Sequence, residues 1–281
     1  MKHLNTDNMA VLKGIAREVH SAVNSLLGTS ESKKTLGKGF GGDQTLLIDE
    51  VAEKTIINYL KRQKIDCTFI GEEHGVQKLG KKPAFYLIAD AVDGTTNATK
   101  GINFVSTSLA LSPSDDLGCV EAALVMNLCN GETYEAEKGK GTKYKGKKIK
   151  TSETAFLNDA VLGIDISRAP NSVEPTVPFM KIAKSVRSFG SASLEICHVA
   201  SGRFDAYVDL RGMLRTLDIA AAILIVKEAG GIVLQPDGKG FDGYPLSKLN
   251  RFSVIAAANE SIHREITSII SQSKDCLCEG L

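Results

Sequence analysis

The residues Asp90-Ala91-Val92-Asp93-Gly94-Thr95-Thr96-Asn97 follow an apolar run, Phe85 to Ala89, that reads as a buried strand. Asp90 therefore ends a strand. Asp93 comes three residues later with one turn between, so both carboxylates can face a single cation. The segment Asp93-Gly94-Thr95-Thr96 then reads as the start of a helix, whose first N–H groups lack helical partners and point outward as a phosphate site. Alone, an Asp-Gly-Thr is a capped turn.

Two further acidic segments raise the reading above that. Gly71-Glu72-Glu73 closes the short β-like run Cys67 to Ile70. Leu217-Asp218-Ile219-Ala220-Ala221 opens a helix that is apolar almost all round as far as Val226 and stops at Gly230-Gly231, the pattern of a buried helix. Asp218 by itself would be an N-cap. Taken with Glu72, Asp90 and Asp93 it completes a set of carboxylates at the ends of regular elements.

Outward from these segments the chain divides into two patterns. Met9 to Leu27 has apolar residues at helical spacing before Gly28, and a second helix is expected from Thr45 to Lys61. The polar, glycine-rich stretch Thr29 to Gly42 between them reads as a mobile loop, with Asp43 where loop becomes helix. Gly37, Gly39 and Gly42 have the spacing of a dinucleotide-binding turn, but the preceding Glu31 to Thr35 is polar where that motif needs an apolar strand. The runs Ser106 to Leu111, Cys119 to Asn127 and onward through Tyr134 suggest one mainly antiparallel sheet. Lys138 to Lys150 is basic but broken by Gly139, Gly141 and Gly146, which predicts a hairpin with solvated lysines.

After Lys150, strand and helix alternate: Ala160 to Ile164, a helix around Val177 to Lys184, Ser191 to Ser201, and Phe204 to Val208. The expected organisation is thus an α+β half over residues 1–150, holding most of the acidic set, and an α/β half over residues 151–281. No repeat or linker separates them.

Hydrophobic residues at 43% and charged residues at 24% belong to a globular chain and exclude a wholly disordered one. Lys and Arg number 34 against 33 Asp and Glu, a net charge of +1, so no global charge calls for nucleic acid or a membrane surface. The N-terminus lacks a signal peptide's organisation and no apolar run reaches spanning length, which predicts a soluble, cytoplasmic protein. The cysteines are scattered in apolar stretches and read as reduced. Cys276 and Cys278 lack the second pair of ligands a zinc site needs.

The three acidic segments resemble the inositol monophosphatase and fructose-1,6-bisphosphatase superfamily, whose pattern is Gly-Glu-Glu, then Asp-Pro-hydrophobic-Asp-Gly-Thr, then Trp-Asp-hydrophobic-Ala-Ala. The resemblance runs from the first helix to Gly230-Gly231 and includes Gly190-Ser191-Ala192-Ser193-Leu194-Glu195 and Val199 to Ala206. Ala91 stands where the family has Pro, and Leu217 where it often has Trp. Neither position supplies a ligand.

What the resemblance implies is a layered α-β-α-β-α sandwich, a homodimer, and hydrolysis of a small phosphate ester with two or three Mg²⁺ per site. Hard oxygen donors suit that ion. Glu72, Asp90 and the Val92 carbonyl resemble one ligand set, and Asp90, Asp93 and Asp218 a second. Thr95, paired with Asp43, resembles the group that orients and deprotonates the attacking water, with Glu72 as the other candidate. Asp93, Gly94, Thr95, Gly190, Ser191 and Ala192 resemble substrate contacts. Arg211 replaces a glutamate that binds inositol hydroxyls in animal relatives. With Arg215 it could hold a second phosphate, which points to the archaeal enzymes acting on both fructose-1,6-bisphosphate and inositol-1-phosphate; the alternative is an ion pair with Asp209 or another surface carboxylate. Lithium sensitivity, a nucleotidase acting on 3′-phosphoadenosine 5′-phosphate, and a non-catalytic regulatory protein of the same fold complete the expectations.

Overall fold

The computed structural model describes residues 7–40, 44–248 and 250–278, with side chains as far as Gln272. Two helices form its outer layer, α1 (Asn8–Val23) and α2 (Leu47–Arg62). Asp7 accepts from the N–H groups of Met9 and Ala10 and so caps α1. Between them, part of the stretch expected as a mobile loop forms β1 (Thr35–Lys38), which pairs antiparallel with β2 (Gln44–Leu46) in a small ribbon, so Thr45 and Leu46, expected to be helical, belong to a strand. Polar composition concealed it. Gly37 and Gly39 belong to this ribbon and its edge rather than to a strand-to-helix turn, and Gly42 and Asp43 lie outside the described residues.

Beneath α1 and α2 lies an eight-stranded sheet built from β3 (Cys67–Gly71), β4 (Gly75–Leu79), β5 (Tyr86–Asp93), β6 (Ser106–Ser112), β7 (Ala122–Asn127), β8 (Thr133–Glu137), β9 (Gly141–Tyr144) and β10 (Lys147–Ile149). Its order is β10-β9-β8-β7-β6-β5-β3-β4, antiparallel except for β3 beside β5. Strands β9 and β10 are the hairpin expected of the basic stretch, turning at Lys145 and Gly146, both with positive φ. A short helix, α3 (Thr95–Lys100), follows β5 directly.

The second sheet comprises β11 (Val161–Asp165), β12 (Ser185–Arg187), β13 (Ala206–Arg215), β14 (Ile232–Leu234) and β15 (Arg251–Ala257), in the order β12-β11-β13-β15-β14. Helices α5 (Ala192–Ala200) and α6 (Thr216–Glu228) fill the space between the sheets, while α4 (Val173–Ile182) and α7 (Glu260–Cys278) cover the far face. The layers therefore run α-β-α-β-α, as expected. Residues Thr216 to Val226 of α6 are all buried, which explains why its apolar residues surround the axis instead of forming a stripe.

Three apolar clusters fill the gaps between layers. Cys67 and Cys197 are buried free thiols inside them, and Cys119 and Cys129 are partly buried and also free. Among the described residues, no helix is long and apolar enough to cross a membrane.

Candidate active site

A bulge in β5 creates the centre of the site. Asp90 pairs with Ser108 and Asp93 with Ser106, so three steps on one strand match two on its neighbour. In a regular strand, residues three apart point to opposite faces. The extra residue across Ala91-Val92 turns Asp93 back toward the side that Asp90 faces.

Gly94 follows with φ +90, and a Cβ there would approach the carbonyls of Gly190 and Phe104 to 3.1 Å. Only glycine fits comfortably. The chain then enters α3, whose first turn presents Thr95 and Thr96 to a cleft of about 410 Å³ shared with Glu72, Asp90, Asp93 and Gly190.

Asp218, at the start of α6, lines a cavity adjoining this cleft and lies close enough to raise the proton affinity of Asp90 and Asp93. Its Oδ2 accepts from the Arg215 backbone N–H at 2.7 Å, closing the first turn of the helix, while Oδ1 is paired with Arg215 Nη2 at 3.0 Å. Arg215 Nη1 also donates to Glu72. Arg215 thus bridges the first and last of the acidic segments, and with its guanidinium there no three of the described carboxylates close on one point. Glu72 itself is positioned from below: Glu53 of α2, fully buried, accepts from the N–H groups of Glu73 at 2.9 Å and His74 at 2.7 Å.

Asp93 is held by α5. Its Oδ2 accepts from Ser191 Oγ at 2.7 Å, Ser193 N at 2.8 Å and Ser193 Oγ at 2.6 Å. With one oxygen so heavily engaged, Oδ1 is the oxygen left for a ligand. Asp90 is 2% exposed, and its carboxyl is pushed well above the ordinary range by burial and by Asp93, Glu72 and Asp218 nearby. Asp93 is raised by burial too.

The hydroxyl of Thr95 donates to Asp49 Oδ1 at 3.2 Å or to the Val92 carbonyl at 3.1 Å. The sequence assigns this role to Asp43, which lies outside the described residues. Among the described residues the carboxylate beside Thr95 is Asp49, which is buried on α2 and accepts from Leu46 N through Oδ2. Burial, reinforced by Glu73 and Glu72, pushes Asp49 up to about 7. A signal for it existed: Leu47-Ile48-Asp49 and Thr216-Leu217-Asp218 both place an aspartate third in a helix, reaching back to the preceding N–H.

A profile of the inositol monophosphatase family matches residues 5–275. A fructose-1,6-bisphosphatase/inositol-1-monophosphatase of Methanothermobacter thermautotrophicus is 35% identical over 90% of this chain and 92% of its own. The chain belongs to the inositol monophosphatase family. A bifunctional NADP phosphatase/NAD kinase of Methanococcus maripaludis is 34% identical over 94% of this chain, which spans about half (49%) of that relative's length. Among solved structures, the extragenic suppressor protein suhB of Bartonella henselae superposes with a TM-score of 0.81 at 28% identity, covering 93% of this chain and 97% of that one.

The donor set fits the metal dependence general in this family. Glu72, Asp90, Asp93 and Asp218 offer only oxygen, and the buried carboxylates among them raise one another's proton affinity, a repulsion that divalent cations relieve.

Arg211 is paired with two aspartates in this structure. Its Nε contacts both oxygens of Asp209 at 3.0 and 3.1 Å, Nη2 bonds Asp209 at 2.6 Å and Asp165 at 2.8 Å, and Nη1 donates to the Ser167 carbonyl. Asp209 is fully buried and needs that cation. Arg215 is likewise committed to carboxylates. The exposed Arg168, in the left-handed region at φ +61, was missed: it lines both the cleft and an adjoining cavity of about 550 Å³, with no ion pair among the described residues. Arg251 lines that second cavity as well.

Proposed function

We propose that this chain is a magnesium-dependent phosphomonoesterase acting on fructose-1,6-bisphosphate and inositol-1-phosphate. The observation that carries the reading is the hydroxyl of Thr95 set between Asp49 and the Val92 carbonyl, at the edge of the acidic cleft and two residues beyond Asp93. Magnesium held by Glu72, Asp90, Asp93, Asp218 and the Val92 carbonyl would acidify water and offset charge on the phosphoryl oxygens.

The protein's own groups do the rest. Thr95 Oγ1 accepts a proton from the attacking water and relays its own to Asp49, whose raised proton affinity suits a base working near neutrality. The first-turn N–H groups of α3 orient the phosphoryl oxygens. The remainder of the substrate extends into the adjoining cavity, where Arg168 and Arg251 are the cations placed to take a second phosphate.

A homodimer and competition by lithium for a magnesium site belong to the same proposal. The similarity to NADP phosphatases favours one second reading, a nucleotide 2′-phosphate as substrate.

Phosphate release from fructose-1,6-bisphosphate, inositol-1-phosphate, 3′-phosphoadenosine 5′-phosphate and NADP⁺, with and without Mg²⁺, tests all of these. Magnesium-dependent release from the first two is expected. Arg168→Ala should raise KM for the bisphosphate about tenfold, the scale of one lost charged contact, and leave inositol-1-phosphate unaffected. Release from NADP⁺ alone would favour the nucleotide reading, and no release at all would support the non-catalytic one.

A further inference from the structure

The turn Phe189-Gly190-Ser191 forms the wall between the catalytic cleft and the adjoining cavity, since Gly190 lines both. It is gripped from three sides. Asp93 accepts from Ser191 Oγ, as described above. From α3, Asn97 Nδ2 donates to the carbonyls of Phe189 at 2.6 Å and Phe104 at 2.9 Å. From one turn inside α5, Glu195 reaches back so that Oε1 accepts from the N–H groups of Phe189 at 3.0 Å and Gly190 at 2.9 Å.

Glu195 is 1% exposed, and its Oε2 has no hydrogen-bond partner among the described residues. A buried acid with one oxygen unpaired costs stability. What it does in return is local: it fixes the Phe189–Gly190 peptide in a left-handed turn (Gly190 φ +83), where a Cβ on residue 190 would come within 3.3 Å of Asn97 Nδ2.

We propose that Glu195 is a positioning residue for the leaving group, holding the Phe189–Gly190 peptide as the wall against which the non-phosphate part of the substrate rests. This rests on the phosphatase reading above. With the scissile phosphate beside Thr95, a bulky leaving group must pass Gly190 to enter the second cavity. A small one need not. Glu195 acts only through the turn and touches neither substrate nor metal, and Asn97 supports the same peptide from the other side.

The experiment compares Glu195→Gln, Glu195→Met and Asn97→Ala with wild type, using inositol-1-phosphate and glycerol-2-phosphate as esters with a large and a small leaving group. Glu195→Met should raise KM for inositol-1-phosphate about tenfold, the scale of losing hydrogen bonds to an acidic acceptor. KM for glycerol-2-phosphate and the Mg²⁺ half-saturation should stay unchanged. Glu195→Gln, which keeps an acceptor at the Oε1 position, should behave as wild type, and Asn97→Ala should reproduce the selective loss even if the Met variant does not fold.

Equal losses on both esters, a normal KM in the Met or Ala variant, or a Gln variant as impaired as Met would overturn the proposal. Hydrogen exchange at the Phe189 and Gly190 amides supplies a readout free of turnover. Protection in wild type that is lost in Glu195→Met supports the grip, and unchanged protection sinks it. A wild type that hydrolyses neither ester counts against the phosphatase reading, while the exchange result still decides whether Glu195 holds the turn.

Discussion

Asp49 shows how much a single buried carboxylate can carry. One oxygen closes the first turn of α2 by accepting from Leu46 N, and the other takes the hydroxyl of Thr95, so structural and chemical roles share one side chain. Asp49→Asn keeps the size and an acceptor oxygen while removing the ability to take a proton. It should lower kcat about 100-fold or more, the usual contribution of a positioned general base, with little change in the Mg²⁺ dependence of thermal stability. Thr95→Ala should cost a similar factor, and the double variant little beyond either single one, because both belong to a single proton path. Fully additive losses in the double variant would mean that Thr95 and Asp49 act separately. The four metal-type carboxylates were legible in the sequence because each sits in a motif at the end of an element. Asp49 shares with Asp218 the signal of an aspartate third in a helix, but that signal alone does not say whether another element places a threonine against it.

At the scale of elements, the sequence showed which segments were strands and helices more readily than how they meet. Hydrophobic period alone identified β3, β5, β6, β7 and α6. It could not supply the bulge at Ala91-Val92, because Leu87 to Val92 are buried without alternation and no period-two pattern marks where an extra residue enters. Nor could it supply the fate of Arg211, which depends on Asp165 in β11 lying beside Asp209 in β13 through parallel pairing. The turn joining β3 to β4 is another contact of this kind. A Cβ on Gly71 would fall 2.5 Å from the Glu53 carboxyl carbon, so Gly71→Ala must push that carboxylate off the N–H groups of Glu73 and His74. Leaving those groups unpaired in a buried setting should cost roughly 2–4 kcal/mol and shift Glu72. A lower melting temperature together with weaker Mg²⁺ binding is expected; lower stability with unaltered Mg²⁺ affinity would show that Glu53 supports the fold without setting Glu72.

For the whole molecule, the site lies on the seam between the two sheets: Asp90 and Asp93 come from the first, and Asp218 from the helix that leaves the second. Cations bound there would join the layers, and their effect should depend on pH in a direction fixed by the carboxyls. Burial raises Glu73, Asp90 and Asp93, and places Asp49 at about 7 and Glu195 at about 8. Below about pH 6.5 the lowered His198 and His263 act in the opposite sense, but from about pH 7 to pH 8 the raised carboxyls leave the metal-free folded protein binding more protons than the unfolded one. Its stability should fall as pH rises through that window. Magnesium reverses part of this, because the protons it displaces from the acidic cleft are cheaper to remove at higher pH. Melting curves at pH 7, 7.5 and 8 should then show metal-free stability declining with pH while the stabilisation from a fixed Mg²⁺ concentration grows, at about 2–4 °C for each kcal/mol gained. Glu195 lies outside the acidic cleft, so the fall between pH 7 and 8 should persist with Mg²⁺ and disappear in Glu195→Gln. A magnesium effect that is flat with pH would mean that the raised carboxyls are not the groups that bind the metal.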